Sequence, residues 1–493
     1  MTRETWTASA AELARWIARG EISSRSVLEA HLLRVDSENG AVNALVTQAR
    51  ERAYAEAEAA DRAVARGETL GPLHGVPMTV KDTFDVAGLR TTNGLPWLRN
   101  HVAASDADAV SVLRRAGAVI WGKTSVPFAS YDWKSRHPHA GPCRNPWNLA
   151  YGPGGSSGGS AAALAAGFTP LELGSDVAGS IRQPSHSCGV YGLRTSEGLV
   201  STRGHGRTPG APAALRSHLS VGPMARHPED LRLALGILLQ STAVGQAVGE
   251  RQLPAVPLSE TRIAWTPSFG DVPVCEGTER VLGEAVHRLG ATGAEVQRVE
   301  LPFDLHRVFE VYGLTHGFEL SMVLPGPLRN RLAKRILRHV YYPFKYRPSL
   351  FTRSLGLGLT ASPRAYFHAL EARWDLVGQF EDWFRPWHLW VTPVAATPAF
   401  PAGAFNRNVR VQGRTVSYGD AAGVYCSPTA ALAHPILTVP AGLSAEGLPI
   451  GLQFHARRLD DLRLVDWGCE VAEVLPPPQP SPAAQGRVVA ASI

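Results

Sequence analysis

The stretch LELGSDVAGSIRQPS, residues 171–185, places small residues around one serine, Ser180, shortly after an acidic residue, Asp176. Glycine and serine are common in turns, and Ser180 could cap a following helix. A second interpretation is chemical, because small side chains leave backbone N–H groups bare and convergent beside a hydroxyl that could attack a carbonyl carbon. The stretch therefore raises the hypothesis of a nucleophile next to an oxyanion-binding site.

A glycine-rich segment precedes this stretch and reads YGPGGSSGGSAAALAAG, residues 151–167. A phosphate-binding P-loop needs Gly-Lys-Ser/Thr after its glycines, and this segment has no lysine. A dinucleotide-binding fingerprint needs a third glycine at the position where Ser157 stands. Residue identity therefore excludes both nucleotide-binding functions for this segment.

The same segment contains the pattern G-x-S-x-G around Ser157, which is typical of the nucleophile elbow of α/β-hydrolases. An elbow follows a strongly apolar strand, whereas residues 148–154 read NLAYGPG. It also needs an acid and a histidine further along the chain, and nothing singles out the candidates Asp420 and His434. An esterase that uses Ser157 is therefore kept only as an alternative hypothesis.

A much longer pattern begins in this segment. Residues 152–204, GPGGSSGGSAAALAAGFTPLELGSDVAGSIRQPSHSCGVYGLRTSEGLVSTRG, resemble the defining block of the amidase signature family, serine hydrolases with a Ser–cis-Ser–Lys triad. LHGVPMTVKDTFDVAGLRTTNG (73–94) resembles the lysine segment of that family. VGPMAR (221–226) and TVPAGLSAEGLPIGLQF (438–454) are similar to later landmarks in the family order. The resemblance covers residues 8–475 and implies an amidase.

Position by position, the resemblance places the nucleophile at Ser180, the bridging serine after a cis peptide bond at Ser156, and the base at Lys81. Amide hydrolysis needs an activated nucleophile, donors for the oxyanion and a proton for the leaving amine. A lysine with the reference pKa near 10.4 is protonated at pH 7, but burial lowers that pKa by disfavouring the charged form. We therefore expect a buried, neutral Lys81 to take a proton from Ser180 through Ser156.

The backbone N–H groups of Val177, Ala178, Gly179 and Ser180 are the expected oxyanion hole. The family usually has glycine at the position of Ala178 and commonly threonine at that of Ser175. If position 178 requires a positive φ, an alanine is strained there, and the geometry of the oxyanion hole is expected to differ.

Other residues near these have expected supporting roles. Asp176 and Arg182 are expected to brace the loop by bonding backbone groups, and Ser157 is a further supporting residue. Tyr131 and Trp133 belong to the aromatic loop at residues 130–148. They are candidates to line the substrate pocket, and the alternative is that they only pack in the core.

Helix and strand patterns interleave along the whole chain. Leucines recur at helical spacing within residues 8–67, and strand-like runs occur at 76–82, 118–123, 295–302 and 435–442. This pattern predicts an α/β protein with one large domain, in which a mixed, twisted sheet is flanked by helices on both faces, as in the amidase signature fold.

Within that fold, residues 1–70 are expected to form an N-terminal helical segment packed on the core. Residues 71–475 are expected to form the amidase signature domain, and residues 476–493 a proline-rich tail on the surface.

Composition narrows the class of protein. The 493 residues are 44% hydrophobic and 19% charged, which is ordinary for a globular protein. The formal charge is +6, but the basic residues are interspersed with acidic ones, so no nucleic-acid partner is expected. The five cysteines are scattered and lack the spacing of metal ligands. No metal and no cofactor is expected. Cys188 is interpreted as a packed small residue. Without a signal peptide or an 18-residue apolar run, the sequence predicts a cytoplasmic protein with no transmembrane span.

Residues 328–347 carry seven lysines and arginines, and Leu328, Leu332, Ile336 and Val340 repeat at every fourth position. The spacing predicts an amphipathic basic helix. Such a helix could contact an anionic membrane surface peripherally or cover the substrate entrance. The favoured alternative is an ordinary surface helix with a solvated face.

The leading hypothesis is a stand-alone amidase that hydrolyses a linear, small-molecule carboxamide, with side activity on esters or carbamates, as a monomer or a homodimer. A second hypothesis is the amidase component of a glutamine-dependent amidotransferase that acts on charged tRNA, since that component belongs to the same family. A non-catalytic binding protein with this fold is disfavoured, because Lys81, Ser156 and Ser180 are all present.

Overall fold

A computed structural model of the chain describes residues 5–206, 217–251, 256–324, 326–403 and 406–478. Of the predicted proline-rich tail, only residues 476–478 lie within the described ranges, and they form neither helix nor strand. No helix within these ranges is long and apolar enough to cross a membrane.

Eleven strands form one mixed sheet at the centre of the molecule, in the order β1-β3-β2-β6-β8-β7-β14-β15-β11-β9-β10. The strands β2, β3 and β6 run parallel, as do β9, β10 and β11, and the middle of the sheet is antiparallel. The strands β4 and β5, and β12 and β13, form two separate hairpins. The bounds are β1 Leu45–Gln48, β2 Pro77–Lys81, β3 Val119–Thr124, β4 Arg136–His137, β5 Gly141–Pro142, β6 Leu171–Asp176, β7 Tyr191–Arg194, β8 Ser220–Ala225, β9 Arg262–Trp265, β10 Glu295–Arg298, β11 Leu389–Pro393, β12 Val409–Val411, β13 Arg414–Val416, β14 Ile436–Leu443 and β15 Pro449–His455.

Helices cover both faces of this sheet. The helices are α1 Ala10–Ala18, α2 Ser24–Val42, α3 Arg50–Ala65, α4 Asp108–Arg115, α5 Gly158–Ala165, α6 Arg182–Cys188, α7 Pro228–Leu238, α8 Ala243–Gly249, α9 Glu276–Ala291, α10 Leu305–Val323, α11 Arg331–Ile336, α12 Tyr342–Tyr346, α13 Leu350–Leu359, α14 Pro363–Phe384, α15 Tyr418–Gly423, α16 Ser427–Ala431 and α17 Asp461–Val474. On β8, Val221 packs with Leu231 of α7, whereas Met224 packs with Ala161 of α5. Side chains of one strand thus meet helices on opposite faces, and the predicted α/β fold is confirmed.

The N-terminal segment contains one element that the sequence pattern did not predict. Residues 1–70 were expected to be helical, and α1, α2 and α3 lie there, but β1 pairs antiparallel with β3 at the edge of the sheet. Four residues, LVTQ, carry too short a pattern to distinguish a strand from a loop. The pairing with β3 forms the strand, so this segment is part of the sheet as well as packing on the core.

The strands β2 and β6 position the residues with chemical potential. They are parallel neighbours, with Thr79 opposite Glu172 and Val80 opposite Leu173. Every residue of both strands is buried. Because the carboxyl ends of parallel strands meet at one edge of a sheet, Lys81 and the segment from Ser175 onward come together there.

The basic segment departs from the predicted continuous helix over 328–347. It begins with a 3-10 turn, Gly326–Leu328, and continues through α11 into a π-helical turn, Leu337–Tyr341, and then α12. Pro343 has no N–H to donate to the carbonyl four residues earlier, which accounts for the irregular turn directly before it.

The apolar stripe of this segment faces outward. Leu332, Ile336 and Val340 are 69%, 50% and 61% exposed. The segment is held to the core by Tyr342 and Tyr346, which are buried. Sequence spacing identified the stripe correctly but not the side that packs, because the aromatic residues bury more area than the aliphatic ones.

We expect the contact between α10 and α13 to tolerate no added methyl group. A Cβ on Gly313 of α10 would lie 2.1 Å from the Ser354 carbonyl carbon and oxygen, so backbone has to move. Gly313→Ala is expected to lower the free energy of unfolding by about 1–3 kcal/mol, the usual cost of overpacking. Chemical denaturation measures the change.

Gly378 in α14 supplies the matched control, since a Cβ there meets nothing within 4 Å. Gly378→Ala is expected to raise the free energy of unfolding by about 0.4–1 kcal/mol by restricting the unfolded chain. Equal effects of the two substitutions would contradict close packing of α10 on α13.

Candidate active site

Lys81 and Ser156 lie within hydrogen-bond distance of each other. Lys81 ends β2 and is 1% exposed. Its Nζ lies 2.9 Å from Ser156 Oγ, 3.0 Å from Ser175 Oγ and 3.2 Å from the Ser175 carbonyl oxygen. The peptide bond between Gly155 and Ser156 is cis. The fold therefore brings together two of the three residues that the resemblance placed in the triad, with Ser175 as an additional neighbour.

Burial lowers the pKa of Lys81 from 10.5 to about 7, against the opposing effect of the nearby carboxyls of Asp176 and Glu172. The adjacent acid in sequence, Asp82, is engaged elsewhere. Its carboxylate lies 3.3 Å from Lys123 Nζ. A substantial fraction of Lys81 is therefore neutral at pH 7, and a neutral amine can accept a proton.

Ser180 follows β6 and precedes α6, and it is half-buried. Its carbonyl oxygen accepts a hydrogen bond of 3.0 Å from the N–H of Ser157, which joins its loop to the loop of Ser156. Within the described ranges its hydroxyl has no hydrogen-bond partner. The backbone of Ser180 is thus held against the loop that carries Ser156 and Ser157.

Three backbone N–H groups beside Ser180 have no partner among the described residues, and they belong to Val177, Ala178 and Ser180 itself. The fourth predicted donor, Gly179, differs, because its N–H donates to Asp176 Oδ1 at 2.8 Å. The Asp176 carboxylate accepts this N–H, so three of the four candidate oxyanion donors are unbonded among the described residues.

The positive φ in this loop lies at Gly179, with a value of 104°. Ala178 has no positive φ, so alanine is unstrained there. The glycine is needed for a second reason, because a Cβ on Gly179 would lie 2.7 Å from Cys426 Cβ. The departure from the family's usual glycine at position 178 therefore leaves the backbone of this loop undistorted.

Asp176 and Arg182 form a buried ion pair that fixes the loop. Arg182 Nη2 lies 2.9 Å from Asp176 Oδ1, and Arg182 Nε lies 3.0 Å from Oδ2. The Asp176 carboxylate also accepts from the N–H groups of Gly179 and Ile181. Burial opposes the charge of Asp176, but the Arg182 guanidinium holds the pKa of that carboxyl well below its usual range. The pair organises backbone and does not face Ser180 as an acid or base.

Ser157 does not have the surroundings of a nucleophile elbow. No strand precedes it directly in the described structure, its side chain is buried, and its hydroxyl donates to the Ser175 carbonyl oxygen at 3.4 Å. Of the proposed partners, His434 Nε2 lies 2.8 Å from His455 Nδ1, and Asp420 accepts from the backbone of α13. Neither contacts Ser157 among the described residues, so the geometry does not support the elbow.

Trp133 packs in the core rather than lining a pocket. It is 4% exposed, and its indole Nε1 donates to the Ala178 carbonyl oxygen at 3.0 Å. Its rings lie edge-on to those of Tyr346, Phe351 and Tyr418. Trp133 therefore orients the peptide bond between Ala178 and Gly179.

Tyr131 is half-buried at the edge of the same aromatic cluster, where Ala178 also lies. Its hydroxyl is 3.1 Å from His316 Nε2, and its ring is edge-on to Tyr342 and Tyr346. The residues around Tyr131 are largely aromatic and come from α10, which no motif identified, and from α12, which lies in the basic segment at 328–347.

Cys188 packs as a small residue behind the glycine-rich loop. It is buried, and burial raises the pKa of its thiol well above the usual value. Its Sγ lies 3.5 Å from the Pro153 carbonyl oxygen. Among the described residues, no group of three or more histidine, cysteine, aspartate and glutamate side chains is arranged to hold a metal ion.

Sequence reasoning missed His205. Its Nε2 lies 2.8 Å from Ser175 Oγ, and Ser175 Oγ lies 3.0 Å from Lys81 Nζ. His205 is therefore connected to Lys81 through the Ser175 hydroxyl. Burial and the nearby amines of Lys81 and Lys123 lower the pKa of His205 to about 3. Residue 205 lies 124 positions after Lys81, and only the fold brings them together.

Comparisons with known proteins agree with this geometry. The family model described as Amidase matches residues 26–465. The A subunit of glutamyl-tRNA(Gln) amidotransferase from Alkalilimnicola ehrlichii is 33% identical over 490 residues, which cover 94% of this chain and 96% of that protein. Indoleacetamide hydrolase of Bradyrhizobium diazoefficiens is 31% identical over 467 residues, which cover 93% of this chain and 85% of that protein.

A solved structure has a similar fold. The crystal structure of an amidase superposes with a TM-score of 0.78 at 28% identity, covering 95% of this chain and 100% of that one. The family model and the relatives both span most of the chain, and the sheet and the cis peptide lie where the resemblance predicts. The chain belongs to the amidase signature family and is an amidase.

Proposed function

We propose that this amidase hydrolyses a linear carboxamide to a carboxylate and an amine or ammonia through an acyl-enzyme on Ser180. The observation that carries this proposal is the position of Lys81, which is buried, has a pKa lowered to about 7, and lies 2.9 Å from Ser156 Oγ. A neutral amine in this position is a general base that needs no histidine.

In the first step, Lys81 accepts the hydroxyl proton of Ser156 while Ser156 accepts that of Ser180. Ser180 Oγ then forms a bond to the carbonyl carbon of the amide, and the carbonyl electrons move onto oxygen. That oxyanion is stabilised by the N–H groups of Val177, Ala178 and Ser180. The described structure contains no hydrogen bond between the two serine hydroxyls, and such bonds often form only in the substrate complex.

In the second step, the protonated Lys81 returns the proton through Ser156 to the leaving nitrogen, and the C–N bond breaks. Water then attacks the carbonyl carbon of the Ser180 ester, and its proton passes through Ser156 to Lys81. Lys81 returns this proton through Ser156 to Ser180 Oγ as the bond between Oγ and the carbonyl carbon breaks. The carboxylic acid leaves and ionises to the carboxylate in water, and all three side chains regain their initial protonation state. The cycle balances with amide and water as its only reactants.

We propose an aryl or alkyl amide as the substrate class, because the half-buried Tyr131 and Ala178 lie at the edge of one aromatic cluster. Free glutamine carries an ammonium and a carboxylate, which need charged partners. The nearby Asp132 carboxylate already accepts from the Tyr418 hydroxyl at 2.9 Å and lies 3.6 Å from Lys345 Nζ.

The second candidate is the amidase component of a glutamine-dependent amidotransferase. The observation that favours it is the 33% identity with the glutamyl-tRNA(Gln) amidotransferase chain over nearly the whole sequence. In that case the chain works with protein partners. The similar identity with an indoleacetamide hydrolase shows that overall identity alone does not separate the two candidates.

The rate is expected to rise with pH as Lys81 loses its proton. Below pH 7, kcat/KM is expected to increase about tenfold per pH unit, and above the pKa of about 7 it is expected to level off. Initial rates on an uncharged amide between pH 5 and 10 measure this profile, with circular dichroism at each pH as the control for folding. A flat profile would contradict a neutral-lysine base.

Ser180→Ala is expected to lower kcat by about 10⁶-fold, as loss of the nucleophile does in other serine hydrolases, since no other hydroxyl can form the ester. A fluorophosphonate probe followed by mass spectrometry of peptides is expected to label Ser180 in the wild type. Ser157→Ala is the matched control, and it should remain labelled at Ser180. Labelling of Ser157, or an active Ser180→Ala, would overturn the proposed triad.

Purified alone, the enzyme is expected to release product from an arylacetamide with a kcat/KM at least about 100-fold above that for glutamine, because Asp132 and Lys345, two charged residues beside this aromatic cluster, already contact each other. Ammonia release measures both substrates, and Ser180→Ala gives the background. Glutamine hydrolysis that appears only after addition of amidotransferase partner proteins would support the second candidate instead.

A further inference from the structure

His205 is held beside Ser175, whose hydroxyl contacts Lys81. Its backbone forms an antiparallel bridge with Phe84, and its ring lies edge-on to the Phe84 ring, with centroids 4.8 Å apart. The N–H of Gly206 also donates to the Thr83 carbonyl oxygen at 2.7 Å. These contacts aim Nε2 at Ser175 Oγ, at a distance of 2.8 Å.

The Lys81 amine has three oxygen neighbours, and they compete for its hydrogens and its lone pair. A neutral amine has two N–H donors and one lone pair. The Ser175 carbonyl oxygen can only accept, so it takes one N–H. The second N–H and the lone pair are left for the hydroxyls of Ser156 and Ser175. Catalysis as proposed above requires that the lone pair faces Ser156.

We propose that neutral His205 is a positioning residue that accepts the Ser175 hydroxyl proton at Nε2 and so reserves the Lys81 lone pair for Ser156. With its proton turned toward His205, Ser175 Oγ can only accept from Lys81. This arrangement requires the tautomer of His205 with hydrogen on Nδ1. The inference rests on the proposed function, in which Lys81 is the base.

The opposite tautomer would reverse the direction of these bonds. A hydrogen on Nε2 would donate to Ser175 Oγ, and the Ser175 proton would then point to the lone pair of Lys81. Ser175 would compete with Ser156 for the base. The tautomer of His205 is therefore the feature that decides which serine Lys81 activates.

The charges around this chain of contacts keep His205 neutral. Lys123 disfavours a second positive charge on the ring, and its own Nζ bonds the Phe84 carbonyl oxygen and the Asp82 carboxylate. The carboxyls of Glu172 and Asp176 face Lys81 and favour its protonated form. Because burial lowers the pKa of His205 to about 3, the ring is neutral near pH 7 and one of its two nitrogens is free to accept.

The test uses His205→Leu and His205→Gln in two backgrounds, the wild type and Ser175→Ala. Leucine removes the acceptor, so kcat is expected to fall about tenfold with little change in KM, the loss typical of one misdirected hydrogen bond. Glutamine can accept through Oε1, so His205→Gln is expected to restore most of kcat. In the Ser175→Ala background, His205→Leu is expected to cause no further loss, since no hydroxyl proton remains to be directed.

An equal loss from His205→Leu in both backgrounds, or equal losses from leucine and glutamine, would overturn the proposal and assign His205 a packing role. A second measurement does not depend on activity. Nitrogen-15 NMR of histidine-labelled Ser180→Ala enzyme is expected to show His205 with hydrogen on Nδ1, and hydrogen on Nε2 would overturn the inference. Failure of the triad would be seen separately from failure of the role of His205, because Ser180→Ala would then stay active.

Discussion

The burial of one lysine amine is the constraint on which the site depends. Lys81 ends a strand with no exposed residue, and no carboxylate in the described part of the chain pairs with its Nζ. A protonated amine in such surroundings loses its hydration without a counter-ion, so the neutral form is favoured. Two hydroxyls and one carbonyl oxygen surround the nitrogen, and none of the three carries a negative charge that would compensate an ammonium ion.

At the end of the neighbouring strand β6, the buried side chain of Asp176 keeps its charge. Asp176 remains ionised because Arg182 and several backbone N–H groups bond its carboxylate. Arg182 in turn contacts Thr429, Gln453 and the carbonyl oxygen of Cys426, which lie far along the chain. The negative charge of Asp176 is largely compensated by this guanidinium, so it raises the pKa of Lys81 only in part. The end of β6 thus holds an ion pair that fixes backbone, and the end of β2 holds a buried amine whose pKa is lowered to about 7.

The fold class could be predicted from the sequence because helix and strand patterns alternate along the chain, whereas the roles of Lys81 and Ser156 were implied only by the resemblance to the amidase signature family. Interleaved helix and strand patterns indicated the α/β fold, and the glycine and serine blocks indicated the residues around Ser180. The strand β1 escaped prediction because four residues carry no period of their own. The engagement of the Gly179 N–H by Asp176 also escaped, since spacing cannot tell a free amide from a bonded one. His205 lies in a loop with no motif, and only the bridge to Phe84 places it near Lys81.

The bond from Trp133 to the Ala178 carbonyl oxygen has a consequence for how this enzyme can change. The loop that carries Trp133 also carries Tyr131, whose carbonyl oxygen accepts from Lys345 and Tyr346. In the proposed mechanism, Tyr131 and the oxyanion donors are thus joined by one stretch of backbone, and remodelling it for a new substrate is expected to disturb those donors. Substrate range is expected to diversify more readily through side chains of α10, such as His316, which contacts the Tyr131 hydroxyl. For laboratory evolution, substitutions in α10 are expected to leave the proposed oxyanion donors in place, whereas substitutions in α12 or in the loop of Tyr131 and Trp133 are expected to displace them.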